Sequence, residues 1–552
     1  MKKLIAIILA LACVLSLCAC GGAGAYTDSD KDGYVTAEGK TKFTIGIIPN
    51  AMILDLNNND LTKWIEEECN VELEFMPFAG GTDVPTQISA AIAARQELPD
   101  ICIGVELDEA ALNRYGREGY IVDLQDYFAD KEGKSKIFWD RVENELTEWE
   151  YGYVTRKMVD QDTDGIYAVP SLETSLVDMI VSMAWINQEW LDKLGLQKPT
   201  NCDELVEVLR AFKTKDPNGN GKQDEIPLYG GTSGLGSNVF SWLMNMFIYF
   251  NNQYHHNATE DGQIYMVYTQ DGYREGLKFI HDLYAEGLLT NLMFSSTEQG
   301  ILTPTNGTAL CGIFISHLSN CQNGNELIYQ YEPLGTWGYG LKDRLRFQMS
   351  NFITENCAEG KRDKAFEVMM KLWSWEGSQR QRYGAYGVHW TDAEEGAKSV
   401  YGLDAEYKLL SEVLGTQNAS IWRSMCSFNN MAECETAQID EMEPFAKKRA
   451  EMHAAAYKLF KEAEDRVPDY VLTPTLLGTD EQKEAVEAQQ GNVYTYMNRM
   501  QTDFITGAND ADIHSDKQWN AYLAELEKLG VNDIRDYYQT LYDALDNKIE
   551  KR

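Results

Sequence analysis

The sequence predicts a two-lobed α/β protein, and three observations carry that prediction. Strand-like and helix-like patterns alternate near the start: Phe43–Pro49 is a β-rich apolar run and Leu61–Cys69 a short helix. Val71, Leu73 and Phe75 then alternate with Glu72 and Glu74, Val84–Gln96 is helical, and Ile101–Val105 is a buried strand. Such alternation implies βαβ units and a mostly parallel sheet. About 530 residues remain after an N-terminal targeting segment, more than one hydrophobic core serves. Beyond Pro170 the content becomes more helical, and twelve Trp and thirty Tyr are more than enough for a core.

Lys2 and Lys3 precede the apolar run Leu4–Leu17, the layout of a secretion signal. Leu17-Cys18-Ala19-Cys20-Gly21-Gly22 resembles a bacterial lipobox, which makes Cys20 the expected lipid site; an ordinary cleaved signal is the alternative. Residues 1–19 are then the signal peptide, and the Gly- and Asp-rich residues 20–41 a flexible tether. No later apolar run reaches eighteen residues, so the membrane is expected to be met through the lipid alone.

The net charge of −37 argues against nucleic acid and anionic lipid surfaces as partners, because like charges repel. Eight cysteines follow Cys20 without a CxxC or metal-type cluster. Cys102 and Cys311 lie in apolar runs and read as small core hydrophobes.

The most chemical stretch runs from Trp185 to Leu228. Trp190, Leu191 and Leu194 lead to Gly195, a helix stop. A second helix starts at Thr200 or Asn201, with Asp203 and Glu204 placed for a capping box. Leu205, Val208, Leu209 and Phe212 follow at the spacing of one buried face. It runs into Asp216-Pro217-Asn218-Gly219-Asn220-Gly221, and Asp224 and Glu225 close the set. Asp216, Asn218, Asn220, the Lys222 carbonyl, Asp224 and Glu225 offer hard oxygen donors of the kind Ca2+ takes. The match to an EF-hand fails at its twelfth position, Pro227. An Asx-rich turn that holds nothing stays open as a reading, although two closing acids exceed what a turn needs. Two similar strings are weaker. Asp28–Gly33 lacks a closing acid, and Asp160–Gly165 reads as a turn before the strand Ile166–Pro170.

Further along, Tyr273, Leu277, Ile280, Leu283 and Tyr284 line one helix face that stops at Gly287. Ala309–Ile315 is an apolar strand ending in Ser316-His317, Phe347–Thr354 another strand, and Lys364–Trp375 a helix. The tail from Glu435 reads as almost entirely helical. There is no GxSxG elbow, HExxH pair or Walker loop; Gly219-Asn220-Gly221-Lys222 is followed by Gln223. A hidden carboxylate pair of a glycoside hydrolase or lyase is the enzyme alternative.

From Leu17 almost to its end the chain resembles the extracellular solute-binding lipoproteins of ABC importers, the large oligosaccharide type. The matching segments are Leu98–Ile101, Asp164–Pro170, Trp185–Asn187 through Pro227, Glu275–Lys278, Tyr383–Trp390 and Phe504–Gly507. The Asp216–Glu225 loop is similar to the calcium loop of alginate-binding members. The resemblance implies a type II periplasmic-binding-protein-like fold with hinge crossings near Tyr167–Ser171, near Gln348–Phe352 and after Trp390. Lobe 1 would comprise 42–167 plus 352–395, and lobe 2 168–351 plus 396–552. It also implies a monomer outside the cell, anchored through Cys20, with no catalysis. Its partners would be an oligosaccharide and the transmembrane permease subunits, and its calcium structural. A peptide or other polar solute is the competing cargo, and alginate does not carry over to so acidic a chain unless Arg382 or Arg423 lines the cleft.

Sugar recognition needs aromatic faces against C–H-rich rings, with polar groups for hydroxyls. Asn50 and Glu106 fall just after strand ends, where open α/β sheets bind ligands. The other ligand candidates are Trp185, Trp242, His317, Trp337, Tyr386, Trp390 and Trp422, each with the alternative of a packing role.

Overall fold

The computed structural model describes residues 35–36, 39–79, 84–173, 183–231, 238–250, 255–259, 261–294, 309–316, 327–339, 346–413, 416–422, 428–429, 434–468, 470–472, 476–544 and 549–551. Cys20, the Asp28 string, His317 and Arg423 lie outside them. The chain opens with β1 (Thr41–Ile47), α1 (Asp60–Glu68), β2 (Val71–Pro77), α2 (Val84–Ala94), β3 (Ile101–Cys102) and α3 (Glu109–Arg117). Then come β4 (Val169–Glu173), β5 (Ala184–Asn187), α4 (Cys202–Thr214), β6 (Ile226–Tyr229), α5 (Val239–Met244) and α6 (Asp271–Ala285). These are followed by β7 (Cys311–Ile315), β8 (Tyr331–Leu334), β9 (Arg346–Ile353), α7 (Glu359–Trp373) and β10 (Phe428–Asn429). The tail carries α8 (Pro444–Glu462), α9 (Asp480–Thr506), α10 (Asp516–Leu529) and α11 (Val531–Asp543).

Six strands form the first sheet in the order β10-β4-β9-β3-β1-β2. β2 and β3 run parallel to β1, as the alternating sequence predicts, whereas β9 runs antiparallel to both β3 and β4. The buried face of β1 presents Phe43, Ile45 and Ile47. Gly46 is a glycine for a steric reason, since a Cβ there would sit 2.5 Å from Pro99 Cγ. The strand expected over Ile101–Val105 is regular only at its first two residues. Its extension stays bonded, with Ile103 N donating to Gly46 O and Val105 N to Ser350 O.

The second sheet has the order β8-β5-β7-β6, with β6 and β7 parallel and β5 antiparallel to both neighbours. Asn201 caps α4 by accepting from Glu204 N at 2.9 Å, and Glu204 accepts from Thr200 N and Oγ1, both at 2.8 Å. Leu205, Val208, Leu209 and Phe212 are buried as their spacing predicts. Gly195 ends the preceding helix at φ 68°, in the left-handed region where a side chain would be strained.

Two main cores result. One gathers Phe43, Ile45, Val71, Ile101, Phe138, Trp373 and Trp422 around the first sheet. The other joins Trp185, Trp190, Phe212 and Phe314 of the second sheet to Val493, Phe504 and Trp519 of the tail helices. β4 and β9 lie side by side from Glu173↔Arg346 to Val169↔Asn351, one leaving the first sheet for the second and the other returning. Their shared interior is polar and bonded: Ser171 Oγ and Ser350 Oγ are 2.8 Å apart, and Asn351 Nδ2 donates to Val169 O at 3.1 Å. Trp373 Nε1 donates to Pro170 O at 2.9 Å in the same buried region. Trp373→Phe keeps a ring but removes this donor. We expect a loss of about 1–3 kcal/mol in urea unfolding, the cost of leaving a buried carbonyl without its partner.

Two regions depart from the sequence reading. The helix expected to end at Trp375 breaks earlier, because Ser374 accepts from Gly377 N at 3.0 Å and caps a new helix, Trp375–Tyr383. The tail is not helical from Glu435. Ala437–Gln438 joins a small sheet with Trp390–Asp392 and Tyr407–Leu409, and α8 begins only at Pro444. Trp422 in the first core and β10 beside β4 also keep the chain with the first sheet well past Trp390.

Candidate functional site

The strand ends that could receive a ligand follow from the two registers. β6 and β7 are parallel and end at Tyr229 and Ile315, while Ala184, the first residue of β5, stands opposite Ile315 and Leu334. These ends share one edge of the second sheet, the edge from which the link to β4 departs. In the first sheet β1, β2 and β3 end at Ile47, Pro77 and Cys102, on the side from which β9 arrives. Binding outside the carboxyl ends of parallel strands is the general rule for open α/β sheets.

A pocket of about 580 Å³, including the solvent at its mouth, opens on the edge of the second sheet. Ala184, Leu334 and Thr336 form part of its wall, with Trp242, Tyr339 and Phe460 as its aromatic members. Trp337 stands edge-on to Trp242, with centroids 5.9 Å apart and planes at 77°. Its Nε1 donates to Cys202 Sγ at 3.4 Å. The Trp337 loop is fixed at both ends. Tyr339 N donates to Asn245 O at 2.7 Å, and the Arg466 guanidinium donates to the carbonyls of Gly338 and Thr336. A Cβ on Gly338 would lie 2.3 Å from Asn245 O, so only glycine permits this approach. Among the described residues lining the pocket there is no lysine or arginine.

On the first sheet Glu106 is exposed and accepts from Gln348 Nε2 of β9 at 3.0 Å, which puts a carboxylate beside a crossing strand. Asn50 is half-buried after β1, and its Oδ1 accepts from Met52 N at 2.9 Å. Tyr386 is 44% exposed, packs 4.9 Å from Trp390 and donates its hydroxyl to Asp392 at 3.0 Å.

Trp185, Trp390 and Trp422 do not present ring faces to solvent; each is 2% exposed or less. Their indole nitrogens are engaged internally: Trp185 with Ser316 O, Trp390 with Gly384 O and Trp422 with Thr62 Oγ1. The structure brings together Trp242 and Trp337 and leaves these three in cores; Trp242 is itself 5% exposed and packed in the second core, where it also lines the pocket. Sequence reasoning missed Tyr339 and Phe460. Tyr339 lies two residues beyond Trp337 and was within reach of the same loop argument; Phe460 arrives from a tail helix with no local signal.

The loop after α4 forms a second candidate site. Asp216 takes the left-handed conformation at φ 47°, and its carboxylate accepts from Asn220 N at 3.1 Å and Gly221 N at 3.0 Å. Asn218 Oδ1 accepts from Asn220 N, and the Asn218 and Asn220 amides both donate to Asp224 Oδ1. Both Glu225 carboxylate oxygens are shielded from water and lack a hydrogen-bond partner. Burial, with the Asp216 and Asp224 charges adding to it, pushes the Glu225 carboxyl up from its ordinary value. A shielded carboxylate facing two others is what a hard divalent cation would neutralise, so the residues present fit such an ion.

The Asp160 string holds a cation of another kind. Arg117 reaches Asp162 at 2.8 Å and Asp160 at 3.5 Å, and bonds Asp480 at the start of α9 at 2.5 Å. Nearby, Glu109 pairs with Lys157 at 2.8 Å and with Lys483 of α9 at 2.7 Å. These bridges tie α3 to a helix of the other core. Burial opposes ionisation of Glu109, but the two lysines outweigh it and hold the carboxyl at about 2. A depressed pKa contributes stability that is present above the unfolded value of about 4.3 and lost as pH falls toward about 2. Glu109→Gln is therefore expected to melt below the unsubstituted protein at pH 6, with the gap narrowing at pH 3. An equal gap at both pH values would contradict the assignment.

Residues 59–323 match the bacterial extracellular solute-binding protein family. FusA of Streptococcus pneumoniae serotype 4 (strain ATCC BAA-334 / TIGR4), a fructooligosaccharide ABC transporter substrate-binding protein, is 25% identical over 500 residues, 89% of this chain and 87% of its own. Both similarities are to extracellular solute-binding proteins. Solved structures share its α/β fold. An extracellular solute-binding protein from Bifidobacterium longum subsp. infantis superposes with a TM-score of 0.70, covering 92% of this chain and 99% of its own at 21% identity. FusA in complex with kestose gives 0.68, covering 91% and 99% at 22% identity. An EF-hand mutant of FusA in complex with fructo-nystose gives 0.67, covering 91% and 99% at 20% identity. The alginate-binding protein AlgQ2, in a structure without calcium ion, gives 0.58, covering 91% and 98% at 19% identity. No helix among the described residues is long and apolar enough to cross a membrane.

Proposed function

We propose that this protein captures a neutral oligosaccharide outside the cell and delivers it to the permease of an ABC importer. The observation that carries this reading is the Trp242–Trp337 corner beside an apolar, open pocket at the strand-end edge. Trp242 on the pocket wall and Trp337 beside it offer C–H-rich sugar rings aromatic surface, and Thr336 and Tyr339 supply polar atoms for hydroxyls. The similarity to FusA along most of both chains supports the same substrate class. A lining without lysine or arginine, in a chain of net charge −37, favours neutral over polyanionic glycans. The first lobe contributes Glu106 and Gln348, and ligand capture closes the lobes about β4 and β9.

The protein is anchored through a lipid on Cys20 and performs no chemistry on its cargo. The loop of Asp216, Asn218, Asn220, Lys222, Asp224 and Glu225 holds a structural Ca2+ that neutralises the shielded Glu225 carboxylate. Titration calorimetry with neutral fructo- and galacto-oligosaccharides and alginate oligomers tests the cargo. Saturable binding of a neutral glycan, recovered unaltered after incubation, is the expected result. Preference for alginate, or turnover of the glycan, would sink the reading.

A further inference from the structure

We propose that His281, Asp282 and His514 form a second metal site, for a transition-metal dication such as Zn2+, separate from the oxygen loop after α4. One ring nitrogen of each histidine and a carboxylate oxygen of Asp282 all lie within 4.8 Å of one another. His281 and Asp282 belong to α6, whereas His514 sits two residues before α10. The two imidazoles are 5.6 Å apart between centroids, and His514 Nε2 is 3.1 Å from Asp282 Oδ1.

The surroundings prepare these groups for a metal. His281 Nδ1 lies 3.0 Å from Phe504 O and 3.1 Å from Ile505 O, at the end of α9. Carbonyl oxygens only accept, so Nδ1 carries the proton and the lone pair sits on Nε2. A backbone carbonyl on the far nitrogen is the usual support of a metal-bound histidine, because it fixes both tautomer and ring orientation. The His514 segment is held as well. Arg274, two turns before His281 on α6, donates to Ile513 O and His514 O and pairs with Asp516 at 2.8 Å, while His514 N donates to Asp512 at 2.9 Å. Ordering the ligands therefore costs little on binding.

The donor set decides which ion fits. Two imidazoles and one carboxylate suit zinc and its neighbours and leave one position for water, whereas Ca2+ seeks six or more oxygens. On binding, the ion takes the place of the contact between His514 and Asp282. The strongly acidic chain raises the local concentration of cations. A bound ion would join α6 to the junction of α9 and α10, stapling the tail to the second core.

The test is titration of ZnCl2 into the full chain kept saturated with Ca2+, followed by calorimetry and thermal melting. His514 is exposed, so His514→Gln leaves the fold intact. One saturable Zn2+ site that raises the melting point, and that weakens roughly tenfold or more in His514→Gln, is the expected result. Absence of a saturable site overturns the proposal, and so does an affinity that falls less than tenfold in the variant.

Discussion

Trp337→Ala is expected to weaken oligosaccharide binding roughly 100-fold, the scale of an aromatic hot spot. Two features set the size of the effect. Trp337 is half-buried and packs edge-on to Trp242, so its loss removes one sugar platform and releases the other. Its loop is clamped by Arg466 and by Asn245, so little else can move in to fill the gap. Trp337→Phe should recover most of the affinity, because the ring face stays and only the contact to Cys202 is lost. Trp422→Ala supplies the contrast. It would empty a core site and remove the donor to Thr62 Oγ1, lowering stability while leaving affinity per folded molecule unchanged. Calorimetry on variants shown to be folded separates the two. If Trp337→Ala binds within threefold of the unsubstituted protein, the Trp242–Trp337 corner is not the sugar platform.

The same residues show what was legible in the sequence. Periodicity located β1, α1, α4 and β9 to within a few residues, because each buries one face in a pattern of period 2 or 3.6. The six loop residues from Asp216 to Glu225 were legible because their spacing is local. The tryptophans were not separable on the same grounds. Trp185 and Trp337 are both aromatics near strand ends, yet Trp185 points its indole at Ser316 O inside the core. That difference depends on a strand pairing between residues more than a hundred positions apart. The bridges from Arg117 and Glu109 to α9 were illegible for the same reason, since their partners lie more than three hundred residues away. The His281–Asp282–His514 cluster likewise needed the tail folded back on α6.

Chelation is expected to lower the melting temperature by several degrees, and the reason lies in one carboxylate. Glu225 has both oxygens shielded and faces Asp216 and Asp224, so without a cation its charged form is disfavoured and its pKa is raised. A raised folded-state pKa contributes stability that is full below the unfolded value of about 4.3 and is lost as pH rises through the folded value. At neutral pH the metal-free protein therefore holds a destabilising charge, and Ca2+ converts that liability into a ligand. With Ca2+ at about 100 times its dissociation constant, mass action adds about 2.7 kcal/mol. Glu225→Gln should reverse sign between conditions. In chelator it should melt at or above the unsubstituted protein, because the shielded charge is gone. In excess Ca2+ it should melt below it, because a ligand is missing. Melting curves at pH 7 with and without Ca2+ are sufficient, and an identical chelator-induced drop in both proteins would remove Glu225 from the ion's shell.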